Sequence, residues 1–129
     1  MEALMDLAGI PVSPGTVEML PMDVTERDSI KRAVRAVVGR ASRIDILVNN
    51  AGIGLCGGVV EADVDQIKAV FDTNVIGLIS VTQEVVPHMI ERGQGKIVNI
   101  GSMLAYVSIP WSGPYCASKS AVRAITSSL

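Results

Sequence analysis

Tyr115 and Lys119 stand four residues apart in Gly113-Pro114-Tyr115-Cys116-Ala117-Ser118-Lys119, and Ser102 lies thirteen residues before Tyr115. On a helix that spacing sets phenol and ammonium one above the other on a single face. A cation held there favours phenolate over phenol, which lets a tyrosine give or take a proton near neutral pH. A serine hydroxyl facing the tyrosine across a cleft would add a second donor to an oxygen on which negative charge builds. The chemistry suited to this set is general acid/base proton transfer near neutral pH.

Each residue needs an element to hold it. Lys96-Ile97-Val98-Asn99-Ile100 carries the β-branched run of a buried parallel strand and would deliver Ser102 at its end. The final helix is expected from Gly113 or Tyr115 to Leu129, with Ala117, Ala121, Ala124 and Ile125 as small packing residues. Ile44 to Val48 reads as a second, almost wholly apolar strand leading into Asn49-Asn50-Ala51-Gly52. From Asp63 to Glu91, Ile67, Val70, Phe71, Leu78, Val81 and Val85 recur at helical spacing and predict one long helix. Asn74 falls on or beside its apolar face, where an amide must find partners. A helix from Glu26 to Arg40 is expected to start at Thr25 as N-cap, with Ile30, Val34, Val37 and Val38 on its apolar face. Val17 to Met22 reads as a short strand before it, Met1 to Ala8 as the end of a helix, and Ile10 to Gly15 as a loop. The glycine-rich Ala51 to Gly58 has neither Gly-x-Gly-x-x-Gly nor a Gly-Lys-Ser/Thr ending, so it reads as a flexible active-site loop rather than a phosphate cradle. Met103 to Pro114, with Trp111, should wall the substrate cleft. Strands alternating with helices of ten or more residues give an α/β class with a parallel sheet.

Composition narrows the alternatives. The 129 residues suffice for one domain, and 49% hydrophobic content with only 3% aromatic residues calls for an aliphatic core. A net charge of −2 offers no electrostatic case for nucleic acid or an anionic membrane. Cys56 and Cys116 lie far apart without a Cys-x-x-Cys or His ligand pattern, which suits two reduced thiols and no metal. No uninterrupted apolar run approaches the ~18 residues that span a bilayer, and the N-terminus lacks the basic start of a secretory signal. A cytoplasmic location is the expectation. A serine hydrolase built on Ser102 is a poor alternative, because Ile100-Gly101-Ser102-Met103-Leu104 lacks Gly-x-Ser-x-Gly and the single histidine, His88, has no evident carboxylate partner.

Taken together, Asn49-Asn50-Ala51-Gly52, Asn74, Ser102 and Tyr115-x-x-x-Lys119 occur in the order and at about the spacing of the classical short-chain dehydrogenase/reductase family, which the chain resembles from about Val17 onward. The resemblance implies an incomplete doubly wound, Rossmann-like parallel sheet and an oxidoreductase that moves hydride between NAD(P)(H) and a carbonyl or secondary alcohol. It implies Tyr115 as acid/base, Lys119 as the group that tunes Tyr115 and bonds the nicotinamide ribose, Ser102 as the residue orienting the substrate oxygen, and Asn74 as the holder of a water in the proton path. It implies cofactor contacts from Asp23 and Val24 to the adenine, and from Asn50, Ala51 and Gly52 beside the adenosine ribose. For Asn49 a structural strand-end role weighs equally. The segment from Tyr106 to Tyr115 is similar to acyl-dihydroxyacetone-phosphate reductase-type members, which implies NADP over NAD, a lipid-like small-molecule substrate and a place in lipid metabolism. The long helix and the Tyr-Lys helix form homo-oligomers in the family.

The sequence also departs from that family. No Thr-Gly-x-x-x-Gly-x-Gly turn for the pyrophosphate is present, and the first two strands and the C-terminal strands are absent. In the doubly wound order 3-2-1-4-5-6, Val17 to Met22 would then lack its neighbour and stand across a gap of two missing strands, roughly 14 Å, from Ile44 to Val48. The expectation from this departure is a marginal or aggregation-prone chain, and the competing function class is a non-catalytic truncated fragment that retains at most the dimer-forming helices.

Overall fold

The structure, a computed structural model, describes residues 17–129; the helix end and loop expected between Met1 and Gly15 lie outside the described residues. The first helix, α1, runs Arg27–Ala41, one residue later than expected. Ile30 and Val34 are buried on its inner face, Asp28 and Arg40 complement the helix dipole at either end, and Ser42 closes it in a left-handed conformation. Thr25 is not its N-cap. Glu26 occupies that position without a side-chain bond, while Thr25 gives its N–H and its hydroxyl to Asp23 Oδ1, at 2.9 and 2.7 Å. An aspartate two residues upstream competes well for a threonine's donors because it forms a local Asx turn.

Two strands, β1 (Ile46–Asn49) and β2 (Lys96–Asn99), pair in parallel, with Ile46 opposite Lys96 and Asn49 opposite Asn99. Each lies within two residues of its predicted bounds. Val17 to Met22, the third expected strand, forms no ladder. A strand exists only as a partner, and the described residues hold none beside this segment.

The crossover between β1 and β2 is the predicted long helix, made of α2 (Val64–Phe71), a π-helical segment (Asp72–Gly77) and α3 (Leu78–Glu91). Asp63 caps it through its carboxylate, which accepts from the Asp65 N–H at 2.9 Å. By length and composition Val64–Glu91 could cross a membrane, but Val70, Val75, Val81, Val85 and Met89 are buried inside the protein, as in a core helix. After β2, a 3-10 turn (Met103–Ala105) interrupts the expected loop, and α4 runs Gly113–Ser128 with Pro114 in its first turn.

All of the helices that touch the sheet lie on one face of it. Ile30 and Val34 of α1 interlock with Val81, Val85 and Met89 of α3, and Leu47 and Ile97 of the strands close this cluster from below. A second cluster joins the π segment and α3 to α4 through Val75, Leu78 and Val122. Each such aliphatic side chain, fully buried, contributes about 1.5–3 kcal/mol. Among the described residues nothing covers the opposite sheet face: Ile46 and Val48 are more than half exposed. Cys56 is exposed on the loop after β1, whereas Cys116, next to Tyr115, is buried.

Candidate active site

The site is assembled where the loop leaving β1 passes between the long helix and α4. Tyr115 and Lys119 fall on the first two turns of α4, as the four-residue spacing requires, and the Lys119 ammonium lies 5.9 Å from the centroid of the Tyr115 ring. Lys119 is only 6% exposed. Its Nζ donates to the carbonyl oxygen of Ile100, at 2.8 Å, just past the end of β2. One acceptor for three donors leaves the ammonium able to bond a further group beside Tyr115.

Asn74 sits at the middle of the π segment and is 1% exposed. Its amide treats Ile53 as a strand treats its neighbour: Oδ1 accepts from the Ile53 N–H at 2.8 Å, and Nδ2 donates to the Ile53 carbonyl at 2.9 Å. The second Nδ2 proton goes to Ser118 Oγ at 3.0 Å. A widened helical turn is a common device for presenting a functional side chain. The loop expected to be flexible is therefore pinned at Ile53. Gly52 makes the close approach possible, since a Cβ there would sit 3.3 Å from Asn74 Oδ1 and 3.8 Å from Lys119 Nζ. Two residues on, Gly54 faces the Tyr115 ring, with a Cβ there 4.0 Å from Cδ2. Asn74, Gly52, Tyr115 and Lys119 thus form one cluster.

Ser102 lies two residues beyond the carbonyl that holds Lys119 and caps the 3-10 turn, its Oγ accepting from the Leu104 N–H at 3.1 Å. No hydrogen bond joins it to Tyr115, and its own proton has no acceptor among the described residues. Asn49 does structural work: Nδ2 donates to Thr82 Oγ1 at 3.0 Å and to Asn99 Oδ1 at 2.9 Å, tying both strand ends to α3. Asn50 and Ala51 are exposed at the carboxyl end of β1, the end at which ligands of parallel sheets bind. Asp23 is exposed, and Thr25's hydroxyl and N–H hold its carboxyl below the ordinary value of 3.8. Val24 packs on Gly77 at the end of the π segment, the same segment whose Asn74 lies against Gly52.

Sequence reasoning missed Ser118 and Ile53. Ser118 was visible as a hydroxyl one residue before Lys119; Ile53 acts through its backbone and leaves no signal in its residue type.

Residues 7–129 match the family model described as short chain dehydrogenase. Human "Dehydrogenase/reductase SDR family member 7" is 44% identical over 105 residues, covering 81% of this chain and 31% of the relative. The 3-ketodihydrosphingosine reductase of Bacteroides thetaiotaomicron is 36% identical over 115 residues, 89% of this chain and 43% of the relative. Among solved structures, a gluconate 5-dehydrogenase from Burkholderia cenocepacia in complex with NADP and tartrate superposes with a TM-score of 0.79 at 39% identity, over 83% of this chain and 42% of that one. An NAD+-bound xylitol dehydrogenase gives 0.80 at 34% identity over the same shares. The chain spans less than half the length of each of these proteins. The family consists of oxidoreductases that use NAD(P)(H), and its Rossmann-like architecture is the one seen here in part. By its sequence, by its parallel strands and by this family match, the chain belongs to the short chain dehydrogenases.

Proposed function

We propose that this chain carries the proton-transfer centre of an NAD(P)(H)-dependent reductase or dehydrogenase acting on a carbonyl/secondary alcohol pair. The observation that carries the reading is the buried Lys119 ammonium, anchored on Ile100 and set beside the Tyr115 ring. Tyr115 gives its proton to the substrate oxygen in reduction and takes it back in oxidation. Lys119 supports the negative charge left on the phenol and uses a remaining N–H on the nicotinamide ribose. Ser102, whose hydroxyl proton is uncommitted, adds a donor to the same substrate oxygen. Asn74, its amide committed to Ile53 and Ser118, orders the loop floor of the site, and a water in the proton path belongs beside it.

The residues suit a dinucleotide. Gly52 leaves open the space that a Cβ would fill between Asn74 and Lys119, and Asn50, Ala51 and the Asp23 carboxylate are exposed for contact. When bound, the nicotinamide supplies or accepts the hydride. NADP is favoured over NAD, and a lipid-like ketone is the favoured substrate; the reductase of a sphingoid ketone among the relatives supports the latter. Homo-oligomers through the long helix and α4, and a cytoplasmic location, complete the proposal.

The test follows nicotinamide absorbance on the protein at its full natural length, with NADPH or NADH and 3-ketodihydrosphingosine or a 3-oxoacyl thioester. Turnover should fall at least ~100-fold in Tyr115→Phe, the usual scale of a lost acid/base, with dinucleotide affinity unchanged by calorimetry. Turnover that survives this substitution would overturn the reading. The competing view, a non-catalytic fragment, draws on the bare sheet face. It predicts that residues 1–129 alone bind neither dinucleotide.

A further inference from the structure

We infer that Ser118 is a positioning residue, whose hydroxyl couples the buried Asn74 amide to the backbone of Tyr115 and so fixes the loop floor beneath the phenol. The inference rests on the dehydrogenase reading for its catalytic consequence, but the coupling itself is a property of the fold. Ser118 is fully buried, at 0% exposure. Its Oγ donates to the Tyr115 carbonyl at 2.7 Å and accepts from Asn74 Nδ2 at 3.0 Å. A serine bonding back to the carbonyl three residues earlier is common in helices. Here the same oxygen also receives an amide proton from a different helix, inside the protein and away from water.

The bonds form a chain. Ile53 is held through both backbone groups by Asn74, Asn74 is held by Ser118, and Ser118 is held by the residue that bears the phenol. Gly54, next after Ile53, lies against the Tyr115 ring. The loop floor and the proton carrier are therefore set relative to each other by one hydroxyl. Alanine at 118 would leave an Asn74 N–H facing a methyl group, unpaired and buried. The amide would then turn toward another acceptor, and a turned amide cannot match both backbone groups of Ile53 at once.

Two substitutions in the full-length natural protein separate positioning from packing. Ser118→Ala removes the hydroxyl; Ser118→Thr keeps it, and threonine in a helix bonds the same earlier carbonyl readily. The first readout is hydrogen exchange at the Ile53 amide by NMR, which is independent of turnover. The second is kcat and KM for NADPH-dependent reduction of 3-ketodihydrosphingosine. Ser118→Ala should speed Ile53 exchange by about tenfold and lower kcat by about tenfold, the scale of one lost buried hydrogen bond, with KM within about twofold. Ser118→Thr should restore both. Unchanged Ile53 exchange in Ser118→Ala would overturn the coupling. Faster exchange with parental kcat would overturn its role in positioning Tyr115, and equal losses in Ala and Thr would assign the effect to packing and overturn it too. Failure of the dehydrogenase reading would show separately, as turnover that survives Tyr115→Phe, and the exchange measurement would still decide the coupling.

Discussion

Asn74 spends its whole amide on holding other groups, and that explains why so polar a residue is tolerated at 1% exposure. Asn74→Leu keeps the volume but strands the Ile53 N–H and carbonyl, which should cost on the order of 2–4 kcal/mol in a urea unfolding titration. Asp23 offers a second residue-level test. Thr25's hydroxyl first, and its N–H second, depress the Asp23 carboxyl below 3.8. A depressed carboxylate contributes stability that is complete above the unfolded value and is lost as pH falls through the folded one, so the loss belongs below pH 3.8. Thr25→Val should move the Asp23 titration, followed by carboxyl-carbon NMR, back up toward that ordinary value. At this scale the sequence spoke clearly where an arrangement follows from side-chain type and spacing. Tyr115, Lys119 and Asn74 do meet around one loop. It was silent on the carbonyl of Ile100 and both backbone groups of Ile53, because any residue carries those. Ser102 was placed correctly at a strand end, but its bond to Leu104 belongs to a 3-10 turn that no local pattern announced.

The elements were legible to the extent that each carries its own hydrophobic period. The long helix, α1 and both paired strands follow from apolar spacing, and their bounds move by only one or two residues. The π segment could not follow, since Val70, Phe71, Asn74, Leu78 and Val81 keep three- and four-residue spacing straight through it and leave no break in the pattern. Its consequence is local: it brings Asn74 inward, and it brings Gly77 against Val24. A Cβ on Gly77 would meet Val24 Cγ2 at 2.9 Å. Gly77→Ala should therefore push the Asp23–Val24 segment away, destabilise the fold by about 1–3 kcal/mol in thermal unfolding, and weaken dinucleotide binding by calorimetry. Val17 to Met22 failed as a strand for a reason outside its own residues, the lack of a ladder partner.

At the scale of the whole molecule, the deciding feature is that the described residues form a sheet of two strands with helices on one side only. Ile46 is 57% and Val48 53% exposed on the other side, where doubly wound relatives carry a second helical layer. Residues 1–129 should bind the dye ANS and sediment as a concentration-dependent mixture. A monomeric, dye-silent 129-residue chain would contradict this. The two thiols, one on the surface loop and the other walled in beside the phenol, give the chain a built-in clock for its own breathing. Ellman's reagent will consume Cys56 at the rate of an open thiol, whereas Cys116, 2% exposed, can react only when the packing around the first turn of α4 opens. Where closing is faster than reaction, the quotient of the two rates reads the fraction of time the start of α4 spends open, without any substrate.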